Sequence, residues 1–199
     1  CAAIYSILHD LGKISKDMLD TYGQDGGLGG QLNVKIPNVE WNTGSIGHAL
    51  GVAAGVVLAS KLDGTDRKAW CLIGDAEMAE GSIWEGLVFA GNLGLKNLIC
   101  IVDRNGLSAT DSVHEDKIFN NLGETVQNLG WSSYTFNGHN FEDIHRTFAF
   151  ARSSMAPTLL IAHTVKGKGV SFMENNVKWH YGVPNEQEYE MAMKELQDG

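Results

Sequence analysis

Positive charge is scarce in this sequence and never bunched: 15 Lys and Arg stand against 24 Asp and Glu, a net charge of −9. No basic cluster could neutralise phosphates along a duplex, which excludes nucleic acid as a partner. Long apolar runs are lacking too. The longest, 46–59, is interrupted by His48 and falls short of the roughly 20 residues that cross a bilayer, so no membrane contact is expected. There is no charged-then-apolar secretory leader. Cysteine is sparse, and Cys1, Cys71 and Cys100 form no metal-type pair. Cys71 and Cys100 fall in expected buried strands and read as reduced, packing thiols of a cytoplasmic protein. No internal repeat, low-complexity segment or linker divides the chain.

What remains is ordinary globular composition. At 199 residues, 43% apolar and 20% charged, the chain is sized for a single domain, 1–199, with a sizeable core. It opens inside an apparent helix, 2–11, stopped by Gly12, and so reads as a domain lacking its N-terminal part. Ser15 can cap a helix over 16–22. Residues 23–44 are irregular and carry Gly26-Gly-Leu-Gly-Gly30, a long loop of the kind that serves function. An apolar helix is expected over 45–61 and must be buried. Its glycines, Gly47, Gly51 and Gly55, recur every fourth residue, either for helix packing or for close approach of a cofactor.

Beyond the turn at 63–66, strands at 69–74, 97–103, 131–136 and 158–163 alternate with helices at 82–93, 117–129 and 141–153, the last capped by Asn140. A long loop and a polar helix, 185–197, close the chain. Such alternation predicts an α/β fold, a parallel sheet with helices on both faces and right-handed crossovers. Ligands of such sheets bind beyond the carboxyl ends of the strands. Gly74-Asp75, Asp103-Arg-Asn-Gly-Leu107, Asn137-Gly-His-Asn140 and Thr164-Val-Lys-Gly-Lys-Gly169 would share that rim. Magnesium takes oxygen ligands in octahedral geometry, often one or two carboxylates plus substrate phosphates. Asp75 offers a carboxylate, Asn105 an amide oxygen, and Leu107 a backbone carbonyl. Taken singly, Asp75 reads equally well as a helix cap and Asn105 as a turn residue.

The order of these motifs is more specific than any one of them. Gly-Asp-Ala-Glu-Met-Ala-Glu-Gly-Ser-Ile-Trp-Glu-Gly (74–86), followed by Asn-Leu-Ile-Cys-Ile-Val-Asp-Arg-Asn-Gly-Leu (97–107), resembles the thiamine diphosphate signature of Gly-Asp-Gly, a spacer and then Asn. With Thr43-Gly-Ser-Ile-Gly47, Asn137-Gly-His139, Ala162-His-Thr-Val-Lys-Gly-Lys-Gly169 and Trp179-His180 in the same order, the chain resembles the transketolase family over essentially its whole length. The resemblance implies the diphosphate-binding domain of a thiamine diphosphate fold, without the pyrimidine-binding domain. It implies a transferase that moves a two-carbon ketol unit from a ketose phosphate to an aldose phosphate. Asp75, Asn105 and the Leu107 carbonyl would hold Mg2+ (or Ca2+ or Mn2+). Gly44, Ile46, Gly74 and the Ala76 amide would contact the cofactor, with Lys166 and His180 near its diphosphate and the donor sugar. Glu80 matches an acidic residue at the family's subunit interface, and equally a first-turn glutamate favouring the helix dipole.

His163 and His139 read as structural, His48, His114 and His145 as surface or packing residues, and Lys168 and Lys178 as solvated. Half the site would lie elsewhere, so a C-terminal transketolase subunit or domain is expected as partner, in a homodimer or heterotetramer. A split enzyme is favoured over a piece of a fused one. Two departures stand out: Ala76 replaces the usual glycine, and Gln31, in Gly29-Gly-Gln-Leu32, stands where the family has a histidine. Glutamine carries no proton at neutral pH, so an unusual donor ketose fits. Rival expectations are a 2-oxo-acid dehydrogenase component, a deoxyxylulose-phosphate synthase, a nicotinamide-binding domain or a non-catalytic remnant. The nicotinamide reading is opposed by Asp75-Ala-Glu after the first strand, where Gly-x-Gly-x-x-Gly should stand.

Overall fold

Apolar runs too short for core helices and bounded by turn residues settle into strands, and amphipathic stretches between them into helices. The computed structural model describes residues 1–112 and 120–198, and the chain divides into two compact units, Cys1–Ile46 and Gly47–Gly199. The smaller unit holds α1 (Ala2–Asp10) and α2 (Lys16–Leu19). Ser15 caps α2, its hydroxyl accepting from Met18 N–H at 3.1 Å; the helix ends at Leu19, short of the expected 22. Tyr5, Ile14 and Leu28 are the buried centre of this unit.

The larger unit runs α3 (Ala49–Leu62), β1 (Ala69–Gly74), a 3-10 turn (Ala76–Ala79), α4 (Gly81–Asn92), β2 (Leu98–Arg104), α5 (Leu122–Asn128), β3 (Ser132–Asn137), α6 (Phe141–Ser153), β4 (Thr158–His163), a second 3-10 turn (Val177–His180) and α7 (Glu186–Asp198). The expected helix over 117–129 is seen as α5; its first residues, like His114, lie outside the described residues. The strands form one sheet in the order β1-β2-β4-β3, with every neighbouring pair parallel. Helices cover both faces, as the alternation predicts. Leu50, Cys71, Ile73, Leu87, Cys100 and Val126 belong to the core on one side, under α3, α4 and α5. On the other, Ile99, Phe136, Leu160 and Ala162 pack with Ile144, Phe148 and Ala151 of α6. Among the described residues no helix is long and apolar enough to cross a membrane.

The helix expected over 45–61 needs correction in two respects. It begins at Ala49, because Gly47 takes a left-handed φ of 86° that no helix admits. Nor is it buried all round: Leu50, Ala54, Val57 and Ser60 face the core, while Gly51 and Gly55 have open space where a side chain would stand. Among the described residues, no backbone packs closely on that glycine face.

Candidate active site

The register fixes the rim. Gly74 pairs with Asp103, and both Arg104 and Asn137 pair with His163, so the carboxyl ends of all the strands finish on one edge. The chain leaves β1 through Asp75 and β2 through Asn105, and the two exits meet. Asp75 Oδ2 accepts from Gly106 N–H at 2.5 Å and Oδ1 from Ala76 N–H at 2.8 Å. Asn105 Oδ1 accepts from Leu107 N–H at 3.1 Å, closing a tight turn. Both structural roles foreseen for these residues, cap and turn, are therefore filled, and the same bonds bring them side by side. Asp75 is 1% exposed. Burial pushes its carboxyl above the usual range against the pull of the Gly106 and Ala76 amides, and Asp103 nearby adds to the rise. Asp103 is itself occupied, its carboxylate accepting a hydrogen bond from the Thr164 hydroxyl. The Ala76 N–H, expected to face a cofactor, is engaged by Asp75.

A second carboxylate on the same 3-10 turn escaped sequence reasoning. Glu77 Oε1 accepts from Gly47 N–H at 2.6 Å and Oε2 from Gly74 N–H at 3.3 Å. The Gly47 carbonyl in turn accepts from the Ser82 hydroxyl at 2.9 Å. A Cβ on Gly47 would lie 2.5 Å from Ser82 Oγ and 2.8 Å from Glu80 Cβ, so only glycine fits. Glu80 occupies the N-cap position of α4 without a side-chain cap bond; its stem packs against Gly47.

Across the rim, the loop after β4 carries Lys166 and His180. Lys166 holds its turn through its carbonyl, which accepts from Asn175 N–H at 3.0 Å. His180 is exposed at the end of the second 3-10 turn, and desolvation first and the Lys166 charge second hold it below the ordinary imidazole value. Trp179 anchors the turn before it, its indole N–H donating to the Phe172 carbonyl at 3.0 Å. His139 shapes its own turn, N–H to Asn137 Oδ1 at 2.9 Å, and also accepts from Val165 N–H at 2.7 Å through Nε2. His163 is exposed at its strand end, and His48 and His145 are exposed. Lys168 is not merely solvated, for it pairs with Glu174 at 3.2 Å; Lys178 lies over the Trp179 ring.

Gly44, Ile46 and Gln31 belong to the smaller unit. There Thr43 N–H donates to the Leu32 carbonyl at 3.1 Å and Leu32 N–H to Thr43 Oγ1 at 3.0 Å. Gly44, at φ 115°, lies so close to the Gln31 side chain that a Cβ would meet it at 3.0 Å. The buried Tyr5 hydroxyl is within bonding distance of the Gly29 and Gln31 carbonyls, at 3.1 and 3.0 Å. The loop with the unexpected glutamine and the loop with the expected cofactor glycine are thus neighbours. Ile46 is 55% exposed.

A family model described as transketolase, thiamine diphosphate binding domain, matches residues 1–197. One of the subunits of an apulose-4-phosphate transketolase, from Phocaeicola vulgatus, is 40% identical over 98% of this chain and 70% of its own length. The protein of the same name from Actinobacillus succinogenes is 36% identical, covering 98% and 71%. A solved transketolase from Campylobacter jejuni superimposes with a TM-score of 0.85 at 30% identity, over 98% of this chain and 32% of that one. With its parallel sheet and its Asp75–Asn105 rim, the chain belongs to the transketolase family and is that family's thiamine diphosphate-binding part, a component of a thiamine-dependent transferase. It spans about a third of the solved transketolase chain. The oxo-acid dehydrogenase, deoxyxylulose-phosphate synthase and nicotinamide readings fall away.

Proposed function

We propose that this chain is the N-terminal subunit of a split, cytoplasmic transketolase, a single thiamine diphosphate-binding domain that transfers a two-carbon ketol unit between sugar phosphates once joined by a C-terminal subunit. The observation that carries the reading is the bond from Gly106 N–H to the buried Asp75 carboxylate, which draws both strand exits to one point. The two relatives, each named as one subunit of a larger transketolase, support the split form, and a heterotetramer is the expected assembly.

The residues present fit the implied metal and cofactor. Asp75 is a desolvated carboxylate with no offsetting cation among the described residues. Among the described residues no group of three or more His, Cys, Asp or Glu could hold an ion, which disfavours a thiolate or multi-carboxylate centre. A hard cation held by one carboxylate, the Asn105 amide, the Leu107 carbonyl and phosphate oxygens matches that inventory. Gly74 and Ala76 would line the diphosphate end, and Gly44 and Ile46 would contact the cofactor through main chain. When bound, thiamine diphosphate supplies the nucleophilic carbon and the electron sink for carbon–carbon cleavage. The chain's own residues bind and orient. His180 can hydrogen-bond the diphosphate or a sugar hydroxyl, Lys166 adds a point charge for phosphate, and Glu80 faces the partner.

Gln31 favours a donor other than the common ketose phosphates, and the relatives' name makes apulose 4-phosphate the one to try. The test is co-expression with the neighbouring reading frame and assay of ketol transfer to ribose 5-phosphate, from xylulose 5-phosphate and from apulose 4-phosphate, with Mg2+ and cofactor. Transfer from either is expected, with apulose 4-phosphate preferred. No transfer from any ketose phosphate, or carbon dioxide release from pyruvate, overturns the proposal.

A further inference from the structure

The 3-10 turn Ala76–Ala79, with its Asp75 cap, presents two carboxylates to two different loops. Asp75 reaches forward to Gly106, beyond β2. Glu77 reaches back to Gly47, the residue that follows Ile46 in the chain and precedes α3. Its second oxygen returns to Gly74, next to Asp75 itself. Gly47 is held at both polar groups, N–H by Glu77 and carbonyl by Ser82, in a left-handed conformation and with no room for a side chain. From this we infer that Glu77 is a positioning residue for the cofactor: it sets the backbone at Gly47 and Gly74 so that the main chain on both sides of the turn meets the diphosphate end. The inference rests on the cofactor cradle proposed above and extends it to a residue in the spacer of the thiamine signature, to which the resemblance gives no role.

The physical case is one of geometry. A carboxylate has two acceptor oxygens and can take two N–H groups at once; each of these is a main-chain donor whose direction fixes its peptide plane. Gly47 and Gly74 lack side chains, so nothing else restrains those planes from within the residues themselves. A glutamine at 77 keeps one acceptor but turns an NH2 toward the second N–H, so one plane is released while size and packing are kept. Groups that orient a ligand-holding residue in this way are worth roughly 10- to 100-fold in affinity when removed.

The decisive measurement uses the reconstituted complex and titrates thiamine diphosphate by calorimetry at saturating Mg2+, alongside the melting temperature of the cofactor-free protein. Glu77→Gln is expected to raise the Kd about tenfold. Val126→Ala, in the core away from the rim, supplies the comparison: it lowers the melting temperature and leaves the Kd where it was. A purely structural Glu77 would behave like Val126, and a Kd within about twofold of the parent, while Asp75→Ala has lost binding, overturns the inference. Should Glu77→Gln fail to fold, Ser82→Ala, which frees the Gly47 carbonyl, decides the matter: a rise of about threefold supports the clamp and no rise rejects it. If Asp75→Ala also binds normally, the cradle itself is wrong and the role of Glu77 goes with it.

Discussion

Asp75 and Glu195 accept nearly the same pair of bonds. The first takes a backbone N–H at 2.5 Å from Gly106 and another at 2.8 Å from Ala76. The second, on α7, takes Ser171 N–H at 2.5 Å and the Ser171 hydroxyl at 2.8 Å, pinning the loop after β4. Their acidities nevertheless move in opposite directions. Burial lifts the Asp75 carboxyl, whereas the backbone bond, seconded by the hydroxyl, holds Glu195 below its ordinary value. Hydrogen bonds favour the charged form and desolvation disfavours it. With the bonds matched, access to water decides. Glu195 therefore fastens a loop and is satisfied, while Asp75 fastens a loop and, among the described residues, has no cation offsetting its burial. That deficit is what a divalent cation would fill.

The sharpest way to break this contrast is Asp75→Ala. In the reconstituted complex it is expected to abolish magnesium-dependent thiamine diphosphate binding, a loss of more than about a hundredfold; unchanged affinity by calorimetry refutes the metal role. Asn105→Ala should follow with a loss of about tenfold in metal affinity, read from Mg2+ titrations at fixed cofactor. Its amide oxygen is neutral, already accepts from Leu107 N–H, and so contributes less than a charged ligand. The domain should stay folded. Equal drops in melting temperature with and without cofactor would mark Asn105 as a turn residue and nothing more.

Much of the fold was readable where local chemistry carries its own punctuation. Strands 69–74 and 158–163 and the helix over 141–153 match β1, β4 and α6 residue for residue. Apolar runs there end at Gly74 or follow Pro157, and Asn140 caps the helix by accepting from Asp143 N–H at 2.9 Å. Asp75 and Asn105 were readable for the same reason, since strand ends in a parallel sheet dictate their meeting. The start of α3 was not. Nothing in an apolar run from 45 onward marks the break at Gly47; its conformation is held by Glu77, 30 positions away. Glu77 stayed hidden because its partners are backbone amides, which no residue type announces. Residues 23–44 were illegible for a related reason: Tyr5, Thr43 and Asn42 hold that loop through its main chain, and such bonds leave no period in the sequence.

The smallest effect tests the other half of the contrast. Glu195→Gln keeps one acceptor for Ser171 and removes the charge. A carboxyl lowered in the folded state contributes stability above its ordinary value of 4.5, and that contribution disappears as pH falls through the lowered folded value. The parent should therefore melt slightly above the variant at about pH 6, with the gap constant down to the ordinary value and closing below it. Thermal melts of both proteins across that range give the answer. A gap independent of pH would mean the Ser171 bonds do not depend on the charge, and the two carboxylates would then differ in more than their access to water. A gap that widens in acid would reverse the sign of the shift itself, and Glu195 could no longer serve as the satisfied counterpart against which the unmet demand of Asp75 is measured.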